Sequence, residues 1–393
     1  DRFTYRLKPN YRNYNICNSQ EQMGIYQEME KKGWLEFSQL ANGSTSGLYG
    51  KMYTLIANYN ESNGEFGLPY TQAAMNAYLQ QAEFRNTDWF DLLFNDNIMQ
   101  QHSVSISTGS DKANLYASLS LFDDPGASKQ SDVKRYTANV NATFNLSKRL
   151  SVSLFTNSSY RDQNSPGTLN QETDAVSGAV SRNFDINPYS YALNTSRTLN
   201  PNDTYTRNYA PFNIFDELEN NYIQTKIKET KFHAEVLYKP IQGLEFKAMG
   251  AYRVYSSSQE HYILNRSNMA EAYRAGVDNP NIQNSNPYLY KDPDKPNSLP
   301  ISVMPTGGIY LSDDNTMEQL SFRATGQYNK VWNEDMHTIN LFGGMEVNKI
   351  ERERIKNSVY GVDYDNARLV TITPEFFKQA KEEGCLLYTS DAA

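Results

Sequence analysis

Apolar and polar residues alternate along much of this chain with a period of two, and the clearest run is Tyr136 to Leu146. One face of the run carries Tyr136, Ala138, Val140, Ala142, Phe144 and Leu146; the other carries Thr137, Asn139, Asn141, Thr143 and Asn145. Successive side chains of a strand point to opposite sides, so this is a strand with one apolar and one polar face. After the brief turn Ser147-Lys148-Arg149 the apolar side resumes with Leu150, Val152 and Leu154. The same pairing recurs twice. Phe232 to Tyr238 turns through Pro240–Gly243 into Leu244 to Tyr252, and Leu320 to Tyr328 turns around Trp332 into Ile339 to Val347. Earlier, Val104 and Ile106 alternate with Ser103, Ser105 and Ser107 before a return strand through Leu115, Ala117, Leu119 and Leu121. At the start, Phe3, Tyr5 and Leu7 alternate with Arg2, Thr4 and Arg6 in a short strand.

The stretch between that first strand and His102 has a helical period instead. One helix is expected from Ser19, with Gln22 completing a capping box and Gly33 stopping it. A second is expected from about Thr71 to Phe84, and Asn42 to Asn63, rich in Gly, Ser and Asn, reads as loop.

Connections between the strands discriminate among all-β architectures. Those near Ser147, Pro240 and Asn329 are short, whereas Arg161 to Gln224 and Ser256 to Asn315 each run to about sixty residues, far above the usual loop length. Short and long connections alternate, as the two ends of an outer-membrane barrel do. Tyr136 and Phe144 lie about 26 Å apart along one strand, or about 20 Å along the membrane normal after tilting. That separation fits two aromatic girdles. A secreted β-sandwich would alternate too, but has no reason to place aromatics at both ends of one face or to lengthen every second loop.

Composition supports a barrel wall. The 393 residues include 29 Tyr and 18 Phe, yet the mean hydropathy is −0.70. A two-faced wall reconciles the two values, because each strand is apolar outward and polar inward. The net charge of −8 and the lack of a basic block exclude nucleic acid as a partner. No stretch reaches the roughly 18 apolar residues of a membrane helix, which leaves barrels open. The start at Asp1 without Met reads as an exported chain cut off upstream. Cys17 and Cys385 form no metal or redox spacing. The tail Cys385–Ala393, CLLYTSDAA, looks like a translated sequencing-library adapter, not native protein.

Covalent chemistry finds no support. His102, His233, His261 and His337 share no ligand spacing and read as wet lumen or interface residues, with His233 on a polar face and His337 on an apolar one. No HExxH, GxSxG, P-loop or GxGxxG string occurs. Neither catalytic residue, cofactor nor metal is expected. Asp123-Asp124, Asp292 to Asp294 and Asp313-Asp314 read as turn residues in loops, and Glu351 to Arg354 as a solvated strand end. The ligand-contact candidates are loop residues that stack or hydrogen-bond: Tyr189, Tyr191, Asn194, Tyr288 and Tyr290.

The runs NTDWFDLLF through HSVSISTGSDKANLYASLSLFDDPG, SDVKRYTANVNATFNLSKRLSVSLFTNSSYRDQNSPGT, NFDINPYSYALNTSR and RNYAPFNIFDEL resemble the SusC/RagA family of TonB-dependent outer-membrane transporters, and KPNYRNYNICNSQEQMGIYQEM resembles the segment after that family's plug. The resemblance implies an all-β fold: a transmembrane antiparallel barrel of 22 strands, of which about nine would lie here, with short helices in an N-terminal extracellular loop region. Residues 1–100 would be the first strand and a long helical loop following the plug, 101–350 barrel strands with short turns and long loops, 351–384 a further strand and loop, and 385–393 the adapter. It further implies a place in the bacterial outer membrane, surrounded by its lipid. Partners would be a SusD-like surface lipoprotein as lid and the TonB complex acting through a missing N-terminal region. The cargo would be an oligomeric nutrient, glycan or peptide. The alternative from the residues alone is a non-transporting surface binding or adhesion β-protein.

Overall fold

A computed structural model describes residues 1–35, 47–167, 172–173, 180–181, 184, 186–277, 279–332, 336–366, 368–369, 375 and 378. Ten strands form one antiparallel sheet in chain order. They are β1 (Arg2–Arg6), β2 (Asn97–Gly109), β3 (Ala113–Asp124), β4 (Asp132–Ser147), β5 (Leu150–Pro166), β6 (Asn221–Ile241), β7 (Leu244–Ile263), β8 (Gly308–Trp332), β9 (His337–Asp363) and the two-residue β10 (Arg368–Leu369). Each pairs with the strand before it, and no closure between the first and last is present among the described residues. Among those residues no helix is long and apolar enough to cross a membrane, which says nothing of strands.

The alternation sorts the faces as the sequence implies. Across the sheet, Ala117, Val140, Thr156, Phe232, Tyr252 and Leu320 lie on one row. Ser118, Asn139 and Asn157 lie on the opposite face, where Asn139 donates to Ser118 Oγ at 3.2 Å and accepts from Asn157. The apolar face leaves large side chains open: Val104 is 68% exposed and Leu341 61%. A sheet can hold so much apolar surface outward only where lipid replaces water, which is the condition a barrel wall satisfies.

Several expectations need correction. The α1 helix (Ser19–Lys31) is capped one residue earlier than Ser19: Asn18 Oδ1 accepts from the Glu21 N–H at 2.9 Å, and Glu21 Oε2 accepts from the Asn18 N–H at 2.8 Å. Ser19 and Gln22 are occupied elsewhere, bonding Glu83, Ser196 and Arg197. The end of α1 agrees with the reading, since Gly33 takes φ +66° and Trp34 N–H reaches back to the Met29 carbonyl. Residues 47–57, expected as loop, form α2 (Gly47–Ala57), because Tyr49 and Met52 are buried with Met23 and Ala82; residues 42–46 lie outside the described set. The next helix, α3 (Gln72–Arg85), starts on Thr71 as its cap.

Strands are longer and long connections shorter than the alternation suggests. The two long connections are 167–220 and 264–307, because β5 to β8 continue past the apolar rows. Length alternation is also not strict, since Pro125–Ser131 is a short connection on the same side as the long ones. Asp313 and Asp314 sit inside β8, and Glu351 to Arg354 inside β9, so neither group is a loop or a strand end. Their neighbours explain the charge: Arg354 donates to Asp313 at 2.8 Å, and Lys349 pairs with Glu351 at 2.6 Å. Strand β8 runs past Asn329 to Trp332, which pairs with His337, and residues 333–335 and the tail 385–393 lie outside the described residues.

Candidate functional site

All long connections lie at one end of the sheet, opposite the short turns 110–112, 148–149 and 242–243. They fold into a cap with its own core. Four short helices complete it beside α1–α3 and α4 (Trp89–Leu93): α5 (Pro188–Asn194), α6 (Ile214–Asn220), α7 (Asn268–Ala272) and α8 (Pro280–Ser285). Each is too short to persist alone, so side-chain caps and packing hold it. Asn187, Asn213, Ser267 and Asn279 each accept from backbone N–H groups at their helix starts. Short helices thus occur in the N-terminal loop region, as expected, and in the two later loops as well.

Trp89, Phe90, Leu93 and Phe94 from the first loop pack with Ile186, Ala192, Phe212, Ile214 and Leu218 from the second. Ala210 of the second loop packs with Met269, Ala270, Ala272 and Met304 of the third, over Ile263 and Ile309 at the strand ends. Trp89 Nε1 donates to the Ser196 carbonyl at 3.1 Å, so the first joint is polar as well as apolar.

A buried polar knot fastens the second and third loops to the wall. Glu217 Oε2 accepts from the Asn268 N–H at 2.7 Å, and its Oε1 from Asn221 Nδ2 at 2.9 Å. Asn221 Oδ1 lies 2.6 Å from His261 Nε2. Asn268 Nδ2 donates to the carbonyls of Arg207, Ala210 and Pro211. Burial raises the Glu217 pKa, against the lowering effect of the Asn268 N–H and the Asn221 amide. His261 is buried in this knot, unlike the wet histidine expected. His102 faces outward beside Asp1, His337 lies against Trp332 on the apolar face, and His233 stays on the polar face near Phe155.

The five loop candidates separate in the cap. Tyr191 lies in the first joint with its ring edge on Trp89, and desolvation holds its hydroxyl well above the usual tyrosine range. Tyr290 is buried and pairs through its backbone with Ile301, and Tyr288 packs among Phe184, Tyr209 and Tyr273. Tyr189 and Asn194 remain exposed: Tyr189 contacts Tyr14 through the two hydroxyls, and Asn194 Nδ2 donates to the Ser190 carbonyl. The chain thus brings Tyr189 and Asn194 together on α5 but not with Tyr288 and Tyr290.

Open volumes occur at three levels. A cavity of about 460 Å³ lies in the cap between α2, α3 and residues 198–205, beside the Lys51–Asp203 ion pair. A hollow of about 490 Å³ on the polar face of the wall is lined by Arg253, Tyr255, Met317, Arg352 and Arg354. A third, about 750 Å³, includes Val104, Leu119, Tyr136 and Tyr160 on the outward face and so opens to lipid. The sequence offered no local signal for the first two, because each gathers residues distant in the chain. Among the described residues no three His, Cys, Asp or Glu side chains gather as metal ligands.

Comparison with known proteins agrees with this geometry. No family model matches the chain. It is 29% identical over 137 residues to the TonB-dependent receptor P26 of Formosa agariphila, covering 32% of this chain and 14% of the relative. It is 27% identical over 190 residues to the TonB-dependent receptor P3 of the same organism, covering 45% of this chain and 17% of the relative. Among solved structures, that of the RagAB peptide transporter superposes with a TM-score of 0.56 at 18% identity, over 92% of this chain and 35% of that one. The RagAB peptide importer in its closed-closed state gives 0.56 at 17% identity. The chain therefore spans about a third of the solved relatives and less of the curated ones. Its fold is that of the superposed part of the RagAB transporter, a large antiparallel sheet of barrel-wall strands. The curated relatives are named as TonB-dependent receptors and the solved one as a peptide transporter.

Proposed function

We propose that this chain forms part of the wall and external cap of a bacterial outer-membrane importer. The importer takes up an oligomeric nutrient, glycan or peptide, is driven by the TonB complex, and works with a SusD-like surface lipoprotein. One observation carries the reading: a ten-stranded two-faced sheet with short turns at one end and a folded cap at the other. A water-soluble sandwich would bury its apolar faces against each other, whereas here the apolar face is open and the polar face bonds to itself.

Binding alone accounts for this role; no covalent step is involved. Rigid strands hold loops that can vary, so recognition concentrates in the cap. Tyr189 and Asn194 are its exposed contacts for a ligand or lid, while Tyr191, Tyr288 and Tyr290 shape the surface from beneath. The test uses the full-length protein in its membrane. It should migrate heat-modifiably on gels, and its loss, or loss of the neighbouring lipoprotein or of TonB, should abolish growth on the oligomer but not on its monomer. Growth that survives removal of TonB would favour a surface binding or adhesion protein.

A further inference from the structure

Strand register assembles a row of residues that the sequence keeps far apart. Following directly opposed positions across nine strands, Arg2 faces Gln101, Gln101 faces Phe122, Phe122 faces Arg135, and Arg135 faces Arg161. The row continues through Ile227, Ser257 and Asn315 to Arg354. Directly opposed residues share a face, and this is the polar face that a barrel turns to its lumen. Four members are arginines and none is a carboxylate.

Such a row is costly to keep. Arg135 and Arg161 are like charges directly across adjacent strands, an arrangement that destabilises a sheet. Carboxylates on neighbouring rows are already occupied. Asp124 holds both terminal nitrogens of Arg6 at 3.1 Å, Glu229 holds Arg253 at 2.8 Å, and Asp313 holds Arg354 at 2.8 Å. Among the described residues, none forms an ion pair with Arg2, Arg135 or Arg161. Two other charge pairs on this face, Glu235–Lys247 and Arg323–Glu346, are closed in the same way.

The arginines are also positioned. The Arg135 guanidinium lies 5.3 Å from the centre of the Phe122 ring, and Arg161 donates a terminal nitrogen to Gln163 Oε1. Arg161 Nε is buried with no partner. In a chain of net charge −8, three arginines without a carboxylate partner in one row do not follow from composition. Guanidinium groups present paired N–H donors that match the two oxygens of a carboxylate or sulfate.

We infer that this row is an oxyanion-recognition site in the lumen, beneath the cap, for a carboxylate- or sulfate-bearing oligomer. The inference rests on the importer reading, because it assigns the row to the path of the cargo. The anion supplies the charge the row lacks, so the like-charge cost of the empty wall is relieved when cargo passes.

The test uses the purified full-length transporter with its partner, comparing wild type with Arg161→Gln, Arg135→Gln/Arg161→Gln and, as a control, Arg253→Gln. Inorganic sulfate is the first probe, added against chloride at constant ionic strength. Sulfate should raise the thermal midpoint of wild type and Arg253→Gln more than that of Arg161→Gln, and in chloride Arg161→Gln should unfold no earlier than wild type. Equal sulfate responses in all variants overturn the site. Two oligomer pairs then identify the source of the anion: a peptide with free or amidated C-terminus, and an oligosaccharide with or without uronic acids. The double variant should lose about tenfold or more in affinity for the acidic member of one pair and keep its affinity for the neutral member. Unchanged affinity for both acidic members overturns the inference even if import is confirmed. A sulfate response that disappears in the variants, in a protein that imports no oligomer, sinks the importer reading and leaves the anion site standing.

Discussion

The wall and the cap solve the burial problem in opposite ways. In the cap, Trp89, Phe90 and Leu93 are at most 1% exposed, and three loops share cores as any water-soluble domain does. In the wall, Val140 keeps 43% of its surface and Leu320 59%, and among the described residues no strand packs a second layer against it. The cap supplies its own apolar environment. The wall borrows one from the bilayer, and its strands are held by ladder hydrogen bonds and by polar pairs on the inner face. Stability in one region is therefore a matter of side-chain fit, and in the other a matter of which side faces which solvent.

That contrast can be broken from either side. The largest effect is expected at Phe90, where replacement by Ala should cost about 3–5 kcal/mol of local cap stability. Hydrogen exchange should then rise across the first and second loops while the heat-modifiable migration of the whole barrel persists; loss of both together would mean that wall and cap are one cooperative unit. Next, Val140→Arg should cost about 2–4 kcal/mol in a bilayer, and Asn141→Arg far less. Equal costs in refolding titrations would refute the assignment of faces. At the seam, a Cβ added to Gly167 would fall 1.8 Å from Asn221 Oδ1 and 2.8 Å from His261 Nε2. Gly167→Ala should displace the polar knot at roughly 1–3 kcal/mol, visible as faster exchange at the Asn268 amide.

The smallest effect is a pH dependence confined to the cap. Burial raises the Glu217 pKa above its unfolded value, so its protonated form is favoured in the fold. The stability this group contributes is fully present below the ordinary glutamate range and is lost as pH rises through the raised value. Cap protection measured across that window should decline with pH in the wild type and flatten in Glu217→Gln, with wall strands unaffected in both. A slope that persists in Glu217→Gln would assign it to another group.

Legibility in the sequence follows the same division. Strands β4, β5 and β6 could be read because Tyr136 to Leu146 and its partners face lipid on one side and water on the other. Beyond the lipid the pattern fades: in Ser256-Ser257-Ser258-Gln259-Glu260-His261 both faces are polar, so β7 reads as loop although it remains paired. The helix α2 was hidden by its Gly- and Ser-rich approach, and α5 to α8 are too short for a helical period to show. The joining of Trp89 to Ile186 and Leu218, and the opposition of Arg135 and Arg161, depend on loop packing and register. No local motif carries either.

Extended strands also act as a ruler. From Val254 to Ile263 the outer end of β7 continues ten residues, about 30 Å along the strand, which tilting reduces to about 23 Å of height. The cap therefore stands on a pedestal of protein, clear of the lipid surface. Because side chains alternate with a period of two, that height is adjustable only in pairs. Removing two residues from each member of a hairpin would lower the cap and keep every face in place; removing one would turn the remainder of the strand inside out.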